Sequence, residues 1–546
     1  MKVVPVMSVL ACLLGLASAE QGARYLVIVQ DGLEGSIAPL AEWRHASGLQ
    51  TKVVLMSETG SDTSAIHDYV QDAYDNWPIR PEFVLLVGHP ANLKACRYGP
   101  RMDRYYSDNY YGDMAGDYRA ELMVGRFPVR STAQCDLMVE KTLAYETEPP
   151  LEDSVWMRRL TTVIREDYDS DDTIYWNNAR HAASLAGTAG FVSCDSLSRQ
   201  RGHGLSDLVG SVDEGTGLVV YRGTAGGNWR EPFEINPDVT DNGGELPVII
   251  STTCETMALD PYDSMVGSAW VKAGWNSSPH GAVAFFGNTH SAANVARQRG
   301  AVCRGFFTGL FAEDRYVLGD AALRAKAQLY AEFPQDESDY RGFGLFGDPG
   351  LKIWTATPQE LVVAHAGEIL PEQQQFEVTV SCNEAPLAGA LLCASMDTTV
   401  YASDTTDSVG TAYLDISPTD TGYMRLVVTA RNCLPYDTLV LVTDQVGLAG
   451  PGLEPVSGQY RISAEPSVFT GGTRIAFNAP ARVGARIELL NIAGCTIRSL
   501  PAAGRDRIVW DGKFDAGRNS GPGVYFCELL DSDGRLLDRA KLIKLD

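Results

Sequence analysis

A chain of 546 residues with 45% hydrophobic and 21% charged residues has material for several packed domains and none of the bias of a disordered protein. Its net charge of −24 excludes nucleic acid or an anionic lipid surface as the main partner, since both demand clustered cations. The eleven cysteines include no CxxC pair and no His/Cys cluster, which excludes a zinc centre of ordinary spacing.

The chain begins with Lys2, an apolar run from Val3 to Leu16 and a small-x-small site, Ala17-Ser18-Ala19. This pattern predicts a signal peptide over 1–19, with Glu20 the first mature residue. The apolar run falls short of the ~20 residues a bilayer span needs, and it continues past Cys12, against lipoprotein processing there. No later segment is apolar enough to cross a membrane, so the mature chain is expected to be secreted or attached to the cell surface by other means.

From Tyr25 to about Trp354, apolar runs alternate with amphipathic stretches. Strands are predicted at Tyr25–Val29, Thr51–Met56 and Phe83–Gly88, with helices at Ile37–Ala46 and Thr63–Trp77 between them. The pattern resumes with a strand at Leu160–Ile164 and a helix at Trp176–Gly187. Strands at Gly217–Tyr221, Pro247–Thr252 and Gly281–Gly287 follow. Fully apolar strands between helices indicate a doubly wound parallel α/β body, divided near Pro149-Pro150 into halves 20–150 and 151–356. Beyond Trp354 helical periodicity stops, and Val, Thr and Leu alternate with polar residues, which predicts a β-sandwich over 357–446. A Gly/Pro-rich joint, Gly447 to Gly452, leads to a second β-sandwich over 453–546. Cys382, Cys393 and Cys433 share the first β-rich segment, where a Cys393–Cys433 bridge is one available pairing.

In an open parallel sheet, chemistry gathers beyond the carboxyl ends of the strands. The strand at Pro247 runs out into Thr253-Cys254-Glu255-Thr256, which sets Cys254 where a nucleophile faces solvent. The strand at Gly217 runs out into Arg222-Gly223-Thr224-Ala225-Gly226-Gly227, whose glycines let backbone amides approach a ligand. Arg222 is expected to pair with a carboxylate. Trp229 either lines a cleft or packs in the core.

These residues carry a family resemblance. Tyr221-Arg222-Gly223-Thr224-Ala225 and, thirty residues after Thr224, Cys254 are similar to the Tyr-x-Gly-His-Gly element and catalytic Cys of gingipain-type peptidases. Asp108-Asn109-Tyr110-Tyr111-Gly112-Asp113, Val124-Gly125-Arg126-Phe127-Pro128 and Leu345-Phe346-Gly347-Asp348-Pro349 resemble the family as well. The resemblance implies a caspase-like fold in two halves, cysteine endopeptidase activity on protein or peptide substrates, Cys254 as nucleophile, and oxyanion donors around Gly223, Thr224 and Ala225. It also implies structural Ca²⁺, for which the acidic run Asp108, Asp113 and Asp117 offers hard oxygen ligands; the chemistry itself implies no cofactor. The segment 357–446 looks like the immunoglobulin-like domain that follows gingipain catalytic domains.

Thr224 departs from the pattern, since it stands where the family has its histidine base and a hydroxyl cannot take a thiol proton near neutral pH. Among the eight histidines, His290 lies just past the strand that follows Cys254 and is the candidate substitute, provided the two strands are neighbours. The other reading of His290 is a packed loop histidine. The tail, with Val509-Trp510-Asp511-Gly512, Gly523-Val524-Tyr525-Phe526 and Lys541 to Leu545, resembles C-terminal sorting domains of the type IX secretion route. That resemblance implies type IX-like secretion machinery as a partner; a generic immunoglobulin-like module is the alternative. Two functions stand: a secreted cysteine endopeptidase with a displaced histidine base, or a catalytically degenerate gingipain-like binding, scaffold or secretion-accessory protein at the cell surface.

Overall fold

The computed structural model describes residues 22–544 except 101–103, 261–264, 276–277, 398, 445–461, 466–467, 470–471, 478–485, 492–495, 503–506, 514–519, 521–522 and 531–535. The expected signal peptide and the joint at 447–452 lie outside the described residues.

The seven apolar runs expected as strands lie in one ten-stranded sheet, together with three strands not expected, Met123–Phe127, Ser193–Ser198 and Phe343–Phe346. In chain order the ten are β1 (Tyr25–Val29), β2 (Thr51–Leu55), β3 (Phe83–Val87), β4 (Met123–Phe127), β5 (Arg159–Ile164), β6 (Ser193–Ser198), β7 (Leu218–Arg222), β8 (Val248–Ser251), β9 (Ala284–Asn288) and β10 (Phe343–Phe346). Their spatial order is β2-β1-β3-β4-β10-β9-β8-β7-β5-β6. Alternate residues face opposite ways: Val219, Tyr221, Ile249 and Phe285 enter one core, and Leu218, Val220, Val248, Ile250 and Phe286 the other. Burial of both faces is why the inner runs Leu218–Tyr221 and Val248–Ile250 are apolar at every position, each such side chain contributing about 1.5–3 kcal/mol relative to exposure.

The expected all-parallel sheet is mixed. β10 pairs parallel with β4 and antiparallel with β9, while the remaining neighbours in the sheet run parallel. The two halves therefore share one sheet but point in opposite directions, and their carboxyl edges lie at opposite ends. The strand that joins them comes from the end of the body, 193 residues after the expected boundary at Pro150, so the division in space does not follow the division along the chain. The helices that matter for the site are α1 (Glu34–Ala46), α2 (Thr63–Asn76), α3 (Thr132–Thr147), α4 (Asp171–Thr188), α5 (Leu205–Asp213), α6 (Val266–Lys272), α7 (Ala296–Ala312), α8 (Leu318–Glu332) and α9 (Glu337–Gly342). Buried ions tie α1 and α3 to the chain after β10: Arg44 contacts Glu146 at 2.7 Å and Asp348 at 2.7 Å, and Tyr25 Oη donates to Asp348 at 2.5 Å.

The chain divides into two compact units, one of residues up to Gly367 with most of 372–440, the other mainly Leu441–Asp546. Within the first, the β-rich segment has antiparallel ladders, such as Gln374–Cys382 against Thr411–Ile416 and Leu391–Met396 against Gly422–Thr429. It packs on the body through Tyr401 Oη and Cys393 Sγ, which donate to the His45 carbonyl at 3.2 and 3.7 Å. Cys393 and Cys433 are both free thiols, with Cys393 Sγ on the His45 carbonyl, so the Cys393–Cys433 bridge is not formed here. In the second unit, strands between Ile462 and Lys544 form sheets of three and five strands. Trp510 is fully buried there with its ring 5.4 Å from Phe469 and 5.0 Å from Tyr525, so two residues of the tail motifs are core packing.

Candidate active site

The carboxyl edge of β7, β8 and β9 brings three predicted segments together. β8 pairs with β7 through Ser251↔Tyr221 and with β9 through Ile250↔Phe286, so the strand adjacency required for His290 is present. Beyond the edge the Glu255 amide donates to the His290 carbonyl at 3.4 Å, and the Thr256 amide to the Asn288 carbonyl at 2.9 Å. Cys254 is partly buried, and Glu255 after it has a φ of +39°, a left-handed backbone uncommon for a residue with a Cβ. This sharp turn follows the nucleophile position directly.

The Cys254 thiol donates to the Ala292 carbonyl at 3.6 Å, and its sulfur also meets Arg299. The guanidinium Nη1 donates to Sγ at 2.5 Å. Arg299 lies in the first turn of α7 and is 3% exposed. Its other nitrogens grip the fully buried Asp339, Nε to Oδ2 at 3.0 Å and Nη2 to Oδ1 at 2.9 Å, and Nη2 also donates to the His290 carbonyl at 3.2 Å. Asp339 sits on α9, which leads into β10. Because β10 runs antiparallel to β9 with Phe343 opposite Asn288, it starts at this same edge and delivers Asp339 there. His290 Nδ1 lies 3.1 Å from Asp339 Oδ1, and Asn288 Nδ2 donates to that oxygen at 3.0 Å. An ionised carboxylate only accepts, so Nδ1 carries a proton in this contact. Burial pushes the Asp339 carboxyl up, but the His290 hydrogen bond and the Arg299 charge outweigh it and hold it below the usual range.

Thr224 is held on the other side of Cys254. Arg165 Nη1 donates to Thr224 Oγ1 at 2.9 Å, Tyr221 Oη donates to the Thr224 carbonyl at 2.7 Å, and Arg165 pairs with Asp167. Gly223 before it has a φ of +155°, and a Cβ there would lie 2.7 Å from both Arg165 Cβ and its carbonyl oxygen. Only glycine fits this approach. The Gly223 carbonyl accepts from Thr253 Oγ1 at 2.5 Å, which ties the two strand exits together. Ala225 pairs with Trp229 in a short hairpin. Trp229 stacks on Tyr221 at 4.5 Å with no exposed surface, so it packs the core and does not line a cleft.

Arg222 departs from its expected ion pair. It is buried with nitrogens on the Thr252 and Ala296 carbonyls and its guanidinium 5.0 Å over Tyr175, while Nε has no hydrogen-bond partner among the described residues. His89, past β3, belongs to the opposite end of the sheet because its half runs the other way. The residues that sequence reasoning missed, Arg299 and Asp339, carry no local motif. An Asp-x-x-x-x run or a helical Arg is common everywhere, and only the strand order makes these two meet.

The aspartates expected to hold calcium are engaged otherwise. Asp108 receives two bonds of 2.6 Å from Arg126, Asp113 caps the Asp117 and Tyr118 amides at 3.1 and 2.9 Å, and Asp117 pairs with Arg119. Among the described residues no group of three His, Cys, Asp or Glu side chains is placed to hold a metal ion.

The chain belongs to peptidase family C25, whose model matches residues 18–354. Among curated relatives it is 24% identical to gingipain R2 of Porphyromonas gingivalis over 412 residues, covering 72% of this chain and 52% of that protein. It is 19% identical to Lys-gingipain W83 of the same organism, covering 80% of this chain and 26% of that one. The chain thus spans about half the length, or less, of these relatives. The crystal structure of the Arg-specific cysteine proteinase gingipain R superposes with a TM-score of 0.70 at 21% identity, covering 78% of this chain and 99% of that one, and shows a shared fold. No described helix is long and apolar enough to cross a membrane.

Proposed function

We propose that the chain is an exported cysteine endopeptidase in which the Cys254 thiolate attacks a peptide carbonyl. The observation that carries this reading is the Arg299 Nη1 contact with Cys254 Sγ, in a chain of the C25 family. A guanidinium on the sulfur supplies a counter-charge for the nucleophilic anion without a histidine at position 224. Attack forms the sulfur–carbon bond and moves the carbonyl electrons onto oxygen. Backbone amides of the 223–225 turn are the proposed donors to that oxyanion. His290, oriented through Nδ1 by Asp339, is the proposed base that takes the Cys254 thiol proton on Nε2 and then gives that proton to the departing amine as the carbon–nitrogen bond breaks. The thioester is then released by water. The β-rich segment 357–446 is proposed as an immunoglobulin-like support, and the C-terminal unit as the element read by type IX-like secretion machinery.

Thr224 favours the second reading, a binding protein on a peptidase body, because its hydroxyl is tied to Arg165. A thiol-directed acyloxymethyl ketone peptide probe decides between them. The endopeptidase reading expects labelling of the wild type that is lost in Cys254→Ala and reduced at least tenfold in His290→Ala. Labelling unchanged in His290→Ala removes that residue from the mechanism, and absence of labelling and of peptide cleavage under reducing conditions leaves the binding reading.

A further inference from the structure

Two thiols of the β-rich segment meet without a role in the site above. The strand Gln374–Cys382 ends on Cys382, and a turn carries Cys433. One short stretch passes both. Val362 pairs with Ser381, and Gln359, three residues earlier, forms a parallel bridge with Cys433, closed by Leu434 N donating to the Gln359 carbonyl at 2.9 Å. Both are free thiols here: Cys433 Sγ donates to the Arg431 carbonyl at 3.4 Å, and Cys382 is the neighbour whose charge, when ionised, acts on it. Cys433 is buried and Cys382 partly exposed, so one sulfur is reachable by a soluble reagent and the other only by its neighbour.

The turn has a structural duty. Asn432, with a φ of +52°, accepts from the Thr355 and Ala356 amides at 2.9 and 3.2 Å, and its Nδ2 donates to Thr355 Oγ1 at 3.0 Å. Arg431 Nη2 donates to the same hydroxyl at 3.1 Å. Thr355 and Ala356 follow Trp354, where the α/β body ends, so this turn holds the exit of the body against the β-rich segment.

We propose that Cys382 and Cys433 are a disulfide site, oxidised by thiol–disulfide exchange, and that the bond clamps the Asn432 turn and stiffens the junction. In the balanced sequence, Cys382 as thiolate attacks an external small-molecule disulfide, forms a mixed disulfide and expels one thiol. Cys433 sulfur then attacks Cys382 Sγ and expels the second thiol. Two electrons and two protons pass from the cysteines to the external disulfide, which leaves as two thiols. Exposure assigns the first attack to Cys382, the sulfur that a soluble reagent reaches, while burial pushes the Cys433 thiol up to about 12. The bond would close a loop between positions 51 residues apart, long enough for substantial restriction of the unfolded chain. Export bears only on where oxidation happens; the chemistry can be tested on purified protein, apart from peptidase activity.

The test is to incubate the full chain with oxidised glutathione, block residual thiols with N-ethylmaleimide, and map peptides by mass spectrometry without reduction. A cross-linked Cys382–Cys433 peptide pair is expected, together with a rise in melting temperature of roughly 5 °C over the reduced protein. In Cys382→Ser and in Cys433→Ser the oxidant-dependent rise should vanish. Recovery of both residues as maleimide adducts, or of either bridged to another cysteine, overturns the site. A cross-link with no rise in melting temperature overturns the clamp.

Discussion

Arg299 reaches from the first turn of α7 to lie between Cys254 and Asp339, 2.5 Å from the sulfur and 2.9 Å from the carboxylate. One buried cation thus serves as the counter-charge of both groups. Removing it strands the Asp339 carboxylate in a site with no solvent exposure. Arg299→Ala is therefore expected to cost about 3–5 kcal/mol in denaturant unfolding. Arg299→Lys keeps a charge but not the fork, and is expected to retain more stability than Ala while losing probe labelling, since an ammonium cannot meet both partners in that geometry. Equal labelling of Lys variant and wild type would detach Arg299 from the chemistry.

The Asp339 carboxyl, held below its ordinary value by His290 and Arg299 against the opposing effect of burial, sets an acid limit. A carboxyl depressed on folding stabilises fully above its unfolded value, about 3.9, and that stability is lost as pH falls through the folded value. Unfolding free energy is expected to drop steeply below about pH 4 in the wild type and less steeply in Asp339→Asn. Urea titrations at a series of pH values, read for slope rather than absolute stability, check this.

Thr224→His returns an imidazole to the strand exit that faces Cys254. Because a positioned general base contributes about 10²–10⁴-fold, a gain in peptide cleavage of at least tenfold is expected. Peptide hydrolysis rates of the variant and of Thr224→Ala measure it. No gain would mean that the Arg165–Asp167 pair beside position 224 keeps the ring from the sulfur.

Lys326 is buried against Asn109 and the Tyr340 ring, 4.7 Å away, and burial pushes its ammonium down to about 7. Between that value and about 10.4 the unfolded chain binds the proton that the folded chain has released, so stability rises with pH across the window. Lys326→Met is expected to flatten this rise and to stabilise the protein by about 1–3 kcal/mol at pH 6, where the buried charge costs most. Denaturation midpoints at pH 6 and pH 9 check both expectations.

Gly342 stands where α9 passes into β10, and a Cβ there would fall 2.2 Å from Asn288 Oδ1 and 2.9 Å from His290 Cβ. Gly342→Ala is expected to cost about 1–3 kcal/mol by forcing the two strand ends apart. It should also weaken probe labelling of Cys254, because the displaced groups orient Asp339. Melting temperature and labelling rate are expected to fall together in this variant. In Trp510→Ala, confined to the C-terminal unit, labelling should be unchanged while that unit loses about 3–5 kcal/mol.

The sequence alone marks seven of the ten sheet strands, the exits of β7 and β8 and the conflict at Thr224, and it misses β4, β6 and β10. Apolar runs such as Val248–Ser251 are local signals, and a motif such as Tyr221 to Ala225 lies within one strand and turn. It also located Cys254 and made His290 conditional on one strand pairing. Tertiary structure decided that condition, and it decided what an apolar run cannot encode: which strand lies beside which, and in which direction. Inserting β10 antiparallel to β9 turns the two halves against each other and carries His89 to the far edge. The same insertion brings Asp339 beside His290 and Arg299, 49 and 40 residues away in sequence. Contacts over such separations depend on backbone pairing and burial of the whole sheet, so no short stretch of chain announces them.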